Sequence, residues 1–231
     1  MRTGVSLVTS EILDFQLAHA QARDAVHTQL DTDHLAKRLR SDIAALADIA
    51  ILTLASAAPD RATYLRRPDL GRILGNHSSA HLHREPCDLV IVIADGLSAV
   101  AVERHATPLL AQLIPTLVEA GWRLGPLCIA TQARVAIADQ IGDTLRAQLS
   151  LVLIGERPGL SSPDSLGAYI TWAPLPGRTD AERNCVSNIR EAGLDYVTAA
   201  ARIAFYCNEA RRLQLTGTAL KETSPNALPG N

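Results

Sequence analysis

Asp88-Leu89-Val90-Ile91-Val92-Ile93-Ala94-Asp95-Gly96-Leu97-Ser98 opens with an unbroken apolar run and ends at an Asp-Gly turn. A run of that length with no polar alternation is the pattern of a strand buried on both faces, as in a parallel sheet. Downstream, a helical pattern passes through Leu113 and Leu117 to Gly121, with Pro108 placed in its first turn and Pro115 at a kink. Trp122 to Ala130 reads as a weaker strand, and Ala138, Ile141, Leu145 and Leu149 as the next helical stripe. Leu151-Val152-Leu153-Ile154 is a second strong strand, closed by Gly155. Strand, helix, strand, helix, strand calls for a parallel sheet with right-handed crossovers. The expected class is therefore α/β, a Rossmann-like parallel sheet with flanking helices, preceded by a helical N-terminal region.

Upstream, Ser10 is placed as the N-cap of a helix running to about Leu30, with Leu13, Leu17 and Ala20 on one face. Asp31-Thr32-Asp33 breaks it. Leu39, Ile43, Leu46 and Ala50 keep helical spacing, which predicts a second helix continuing towards Pro59. Residues 66–72 read as a loop or short helix start. Downstream of Gly155, residues 156–190 are rich in Gly, Pro, Ser and Arg, with one strand expected at Ala168 to Trp172. A segment this long and irregular is usually functional or interface-forming. A last helix is expected from about Leu194 to Leu213, followed by a frayed tail from Thr223. This organisation divides into a helical region, 1–80, and a Rossmann-like domain, 81–231.

The balance of 22 Lys+Arg against 24 Asp+Glu leaves no basic surplus, so a nucleic-acid partner is not expected. Only Lys37 and Lys221 are lysines; the other basic residues are arginines, which favour planar, bidentate contacts. Cys87, Cys128, Cys185 and Cys207 are widely spaced with no CxxC, which fits a reducing compartment better than a secreted disulfide scaffold. Met1-Arg2-Thr3 is not followed by an uninterrupted apolar run, so no signal peptide is expected, and the most apolar stretch, 43–58, reads as too short and too polar to span a membrane. A cytoplasmic protein is expected.

In an open parallel sheet, ligands sit outside the carboxyl ends of the strands. Those ends carry Asp95-Gly96-Leu97-Ser98, Thr131-Gln132-Ala133-Arg134-Val135 and Gly155-Glu156-Arg157-Pro158-Gly159. The glycines admit close backbone approach, and Asp95 and Glu156 offer acceptors; as ordinary turn and cap residues they would need no ligand at all. No GxGxxG or Walker A loop is present, and Ser98 lacks a GxSxG elbow. His83-Arg84-Glu85-Pro86-Cys87 carries part of the zinc deaminase pattern, but Asp88-Leu89-Val90 stands where a second Cys is required. His77, His81, His83 and Cys87 read as a solvated loop rather than a metal site, and Cys185 as a packing residue rather than a nucleophile. No catalytic set emerges.

Five ordered blocks, RPDLGR (67–72), DLVIVIADGLS (88–98), ARVAIADQIG (133–142), GERPGLSSPDSLGAY (155–169) and GRTDAERNCVSNIR (177–190), resemble the small (light) subunit of ethanolamine ammonia-lyase. The likeness runs from about Ser10 to Lys221. It implies a lyase dependent on adenosylcobalamin, which converts ethanolamine to acetaldehyde and ammonia by a radical route. A large TIM-barrel subunit would hold the substrate and most catalytic groups. The small subunit would close over the cofactor at the interface of a hetero-oligomer, with no catalytic residue of its own. Matched by motif, its cobalamin contacts fall on Val135, Glu156 and Cys185. The chain lacks DxHxxG, so the cofactor would keep its own base on cobalt and no histidine here would ligate the metal. Family members act in ethanolamine catabolism, some inside a bacterial microcompartment. Ile73 after Arg72 and the His77–His83 segment depart from the family pattern.

Two other readings compete. A stand-alone nucleotide-using Rossmann enzyme lacks both glycine fingerprints. A non-catalytic assembly subunit would bind the large subunit yet leave cofactor affinity untouched.

Overall fold

Along Leu89–Ala94 every residue is buried, and the side chains alternate between two separate cores. Leu89, Ile91 and Ile93 enter one; Val90, Val92 and Ala94 enter the other. The period of two in a strand makes that partition automatic, and an unbroken apolar sequence is what it demands. The computed structural model describes residues 9–159, 162 and 164–221, apart from the side chain of Gln21.

Six strands form one sheet: β1 (Ile51–Ala55), β2 (Leu89–Ala94), β3 (Leu124–Thr131), β4 (Leu149–Gly155), β5 (Leu166–Trp172) and β6 (Asn184–Ile189), in the order β1-β3-β2-β4-β5-β6. β1, β3, β2 and β4 are mutually parallel; β5 and β6 are antiparallel to their neighbours. From β2 the chain moves through α5 (Ala99–Glu119) to β3 on one side. From β3 it returns through α6 (Ile137–Leu145) to β4 on the other. Right-handed crossovers in opposite directions put their helices on opposite faces. Accordingly, the buried side of α5 belongs to the first core and that of α6 to the second. Two further helices, α2 (Thr32–Asp42) and α7 (Tyr196–Leu213), add Leu35, Leu39, Ile203 and Cys207 to the first core. The remaining helices are α1 (Thr9–His27), α3 (Arg61–Arg66) and α4 (Asn76–His81). None of the described helices is long and apolar enough to cross a membrane.

The mixed α/β class with a mostly parallel sheet and a helical N-terminal region is as the sequence predicts, with four differences in detail. The helix expected through Ala50 towards Pro59 ends at Asp42. After a single 3-10 turn, Ala44–Leu46, the chain becomes β1, pairing Leu52 with Cys128 and Leu54 with Ala130. Residues 51–55 satisfy either period; the hydrogen-bonding edge of β3 selects the strand. Pro108 lies in the interior of α5, which begins at Ala99 on the Ser98 side-chain cap. Pro108 is half-buried and Pro115 exposed, so the rings avoid the fully buried stripe whose packing sustains the helix despite the lost N–H groups. A sixth strand occupies Asn184–Ile189, where an irregular segment is expected; only Asn184, Val186 and Ile189 are buried along it. Finally, Ser10 lies inside α1 rather than capping it, and Leu13 and Leu17 face solvent, 58% and 59% exposed.

Candidate functional site

The strand order reverses at β2, so the loops after β2 and β3 depart to opposite faces and leave a crevice at the carboxyl ends. A cleft of about 980 Å³ occupies it. Its floor is Gly96 and Leu97 after β2, Arg134, Val135 and Ala136 after β3, and Ile154 to Arg157 at the end of β4; Tyr64, Arg72, Tyr169 and residues 176–180 supply the walls.

Two glycines make this floor possible. Gly96 has φ +56°, and a Cβ there would stand 2.2 Å from the Gly155 carbonyl oxygen. A Cβ on Gly155 would stand 2.0 Å from the Ser98 carbonyl. The β2 and β4 ends therefore meet backbone to backbone, with no room for a side chain.

Asp95, expected to offer an acceptor to a ligand, is instead engaged within the protein. Its carboxylate accepts from the backbone N–H groups of Gln132 and Ala133, both at 2.9 Å, and from Arg61 Nη1 at 3.3 Å. It is 1% exposed. Burial pushes its carboxyl upward, opposed by those same donors, which favour the charged form. Arg61 also donates to the carbonyls of Gly96 and Val26. Asp95 thus fixes the turn after β3, where Gln132 takes φ 53°, and so positions Arg134 and Val135.

Glu156 and Val135, expected as cofactor contacts, both line the cleft. Glu156 Oε2 accepts from the Asn188 backbone N–H at 3.2 Å, and the side chain lies against Gly167, where a Cβ would come within 2.9 Å of Oε1. Cys185 is not in the lining. It is exposed on β6, opposite Tyr169 on β5. Tyr169 does line the cleft, so the structure brings the three candidates to one neighbourhood. Burial pushes the Cys185 thiol above its ordinary value, with the Glu156 charge adding to the rise. The direction of that shift favours the protonated thiol over the reactive thiolate. Tyr169 is pushed up too, first by burial and then by Cys185 and Glu156.

Two features of the cleft escape sequence reasoning because they join distant segments. Arg183 and Asp139 form a bidentate pair, Nη1–Oδ1 2.7 Å and Nη2–Oδ2 2.6 Å, with both side chains 1% exposed. Arg183 donates as well to Thr171 Oγ1 and the Arg178 carbonyl, tying α6, β5 and the 176–180 wall together. Tyr64 is fully buried beneath two guanidinium groups, Arg134 at 4.4 Å and Arg61 at 4.8 Å from its ring centre, and donates to the Ala133 carbonyl. Of residues 66–72, read in the sequence as a loop or short helix start, Arg72 supplies part of one wall.

Away from the cleft, His77 and His81 stand one turn apart on α4 with their Nε2 atoms 3.2 Å apart. Among the described residues no three His, Cys, Asp or Glu side chains group as a metal site would require.

A large, partly polar cleft at the topological switch point of a mostly parallel sheet is where an α/β domain of this class presents a ligand site. The comparisons with known proteins are specific. The family model for the ethanolamine ammonia-lyase light chain matches residues 1–221. The chain is 52% identical to the ethanolamine ammonia-lyase small subunit of Pseudomonas aeruginosa (strain LESB58), covering 99% of this chain and 85% of the relative. It is likewise 52% identical to that of Bradyrhizobium diazoefficiens, covering 99% and 87%, and 49% identical to that of Ralstonia nicotianae, covering 96% and 83%. The chain belongs to the ethanolamine ammonia-lyase small-subunit family: it is a subunit of a lyase, and a large subunit is its implied partner.

Proposed function

We propose that the cleft at the carboxyl ends of β2, β3 and β4 is this chain's half of an adenosylcobalamin site, completed by the large, TIM-barrel subunit of the same enzyme. The observation that carries the reading is the convergence of Val135, Glu156 and Tyr169, the Cys185 partner, on one cleft of cofactor size in a member of this lyase family. The residues present suit such a group. A corrin ring offers an apolar face and a rim of neutral amides, and the cleft offers a branched aliphatic surface at Val135 and a carboxylate acceptor at Glu156. When bound, the cofactor supplies the radical chemistry by which ethanolamine becomes acetaldehyde and ammonia, leaving the protein to bind, orient and exclude side reactions.

Within that division, Val135 packs on the corrin edge. Glu156, held by the Asn188 N–H, accepts hydrogen bonds from corrin amides or a tail hydroxyl. Cys185 adds a small, soft surface opposite Tyr169. The Asp95 and Asp139 ion pairs fix the loops that carry these groups. With no DxHxxG pattern in the chain, none of its histidines would be called on to hold the cofactor's metal. All four cysteines are unpaired, which supports residence in the cytoplasm; carriage inside a microcompartment rests on the family resemblance alone.

The test is ammonia release from ethanolamine with adenosylcobalamin by this chain, its large subunit, and the two mixed. Activity is expected in the mixture alone. Glu156→Ala in the mixture should weaken cofactor binding by about tenfold, the loss of one charged hydrogen bond. Unchanged cofactor affinity would instead favour an assembly subunit without cofactor contact.

A further inference from the structure

Four arginines, Arg72, Arg134, Arg157 and Arg178, line the cleft against three carboxylates, Asp139, Glu156 and Asp180. Asp139 is bound to Arg183, and Arg178 to Glu182, whose Oε1 accepts at 2.5 Å. Arg72, Arg134 and Arg157 also line the cleft, and none of them has a carboxylate partner among the described residues. Arg72 and Arg157 are exposed at its rim; Arg134 is half-buried at its floor.

Arg134 is also the most firmly held of the three. Its guanidinium stacks on the buried Tyr64 ring. Its backbone N–H donates to the Gly71 carbonyl at 2.8 Å, and its stem lies so close to Gly71 that a Cβ there would meet Arg134 Cγ at 2.9 Å. The turn from which it projects is pinned by Asp95. Yet Arg134 Nε is buried without a hydrogen-bond partner. An immobilised cation with an unused donor, in a cleft shared with two further unpaired cations, is arranged for an anion. Packing alone would be served as well by a cation with its carboxylate beside it.

We propose that Arg134, assisted by Arg72, is the seat of the phosphodiester of the cofactor's nucleotide tail. The inference rests on the cobalamin reading of the cleft. Within that cofactor the corrin side chains are neutral amides, so the phosphodiester is the fixed anion available to an arginine fork, whose planar geometry suits phosphate oxygens. Arg72 lies in the RPDLGR block and is brought to the cleft by the Gly71–Arg134 backbone bond.

The experiment measures dissociation constants, by the change in corrin absorbance, for the complex of this chain with its large subunit. Three probes are compared: adenosylcobalamin, adenosylcobinamide, which lacks the phosphate and nucleotide, and adenosylcobinamide methyl phosphate, which restores the phosphate alone. In the unaltered complex the methyl phosphate is expected to bind about tenfold to a hundredfold more tightly than cobinamide, a gain that shrinks with added salt. Arg134→Met should abolish that gain while leaving cobinamide binding within about twofold; Arg134→Lys should keep part of it, and Arg72→Gln should lower it a few-fold. A merely structural role for Arg134 would weaken all three probes alike, which overturns the proposal. Should Arg134→Met fail to fold, Arg134→Lys and Arg72→Gln with the salt series answer the same question. Equal binding of all probes by the unaltered complex refutes the phosphate seat but leaves the cobalamin reading standing. If no corrinoid binds at all, that reading falls, and the seat with it.

Discussion

Replacing Asp139 by Asn changes one oxygen to an NH2 group and removes the charge facing Arg183, which is 1% exposed and keeps two acceptors, Thr171 Oγ1 at 2.8 Å and the Arg178 carbonyl at 3.0 Å. Removing one partner of a buried ion pair costs about 3–5 kcal/mol, because the other charge stays buried and uncompensated. The two surviving acceptors place Asp139→Asn at the lower end, about 3 kcal/mol. At about 2–4 °C per kcal/mol for a chain of this size, the melting midpoint should fall by about 6–12 °C. Urea unfolding followed by circular dichroism is the assay, with the denaturant slope expected to stay constant while the midpoint shifts. Arg183→Met alone should cost a similar amount. The double variant should cost well under the sum, since it leaves no orphaned charge. A loss below about 1 kcal/mol for Asp139→Asn, or full additivity in the double variant, would refute the claim that the two act as a pair.

His105, 5% exposed, meets the Tyr196 hydroxyl through Nδ1 at 2.9 Å and stands with Nε2 3.5 Å from Asp164, itself paired with Arg104. Burial lowers its pKa from 6.5, outweighing the pull of Asp164 in the other direction. The unfolded chain therefore binds the proton more readily, so this residue's contribution is complete above about pH 6.5 and is lost as pH falls through the depressed folded value. His105→Phe should flatten the stability profile between pH 7 and the acid limb of His titration, measured by urea midpoints; a profile as steep as that of the unaltered chain counts against the assignment. Gly155→Ala must push a Cβ to 2.0 Å from the Ser98 carbonyl, which moves the β4 end away from the turn after β2. A loss of about 2–4 kcal/mol is expected from overpacking and backbone strain, again read by denaturation. A neutral outcome would mean that the two loops have room the geometry denies.

Legibility followed how far each feature depends on distant partners. The unbroken runs at Leu89–Ile93 and Leu151–Ile154 announce strands covered on both sides, because two apolar faces leave no place for polar residues. β1 could not be read so, since Leu39, Ile43, Leu46 and Ala50 carry a helical spacing to its first residue, and only the edge of β3 chooses otherwise. β6 hides among polar residues because its outward positions, Cys185, Ser187 and Asn188, are exposed. At the site, Val135 and Glu156 follow from loops that end strands. Asp95 was visible as a residue but not as an internal brace, and the Tyr64–Arg134 stack and the Arg183–Asp139 pair join segments that sequence order keeps apart.

The pairing of β1 with β3 also sets an order of events on the ribosome. Leu52 must wait for Cys128, and α3, α4, β2 and α5 are all synthesised in between. Until Thr131 has emerged, Ile51–Ala55 is a largely apolar strand without the β3 edge it pairs with, the kind of segment that recruits neighbouring nascent chains. Arrest of translation before that point would release a fragment prone to aggregate, whereas a chain completed through Thr131 can close the strand into its sheet.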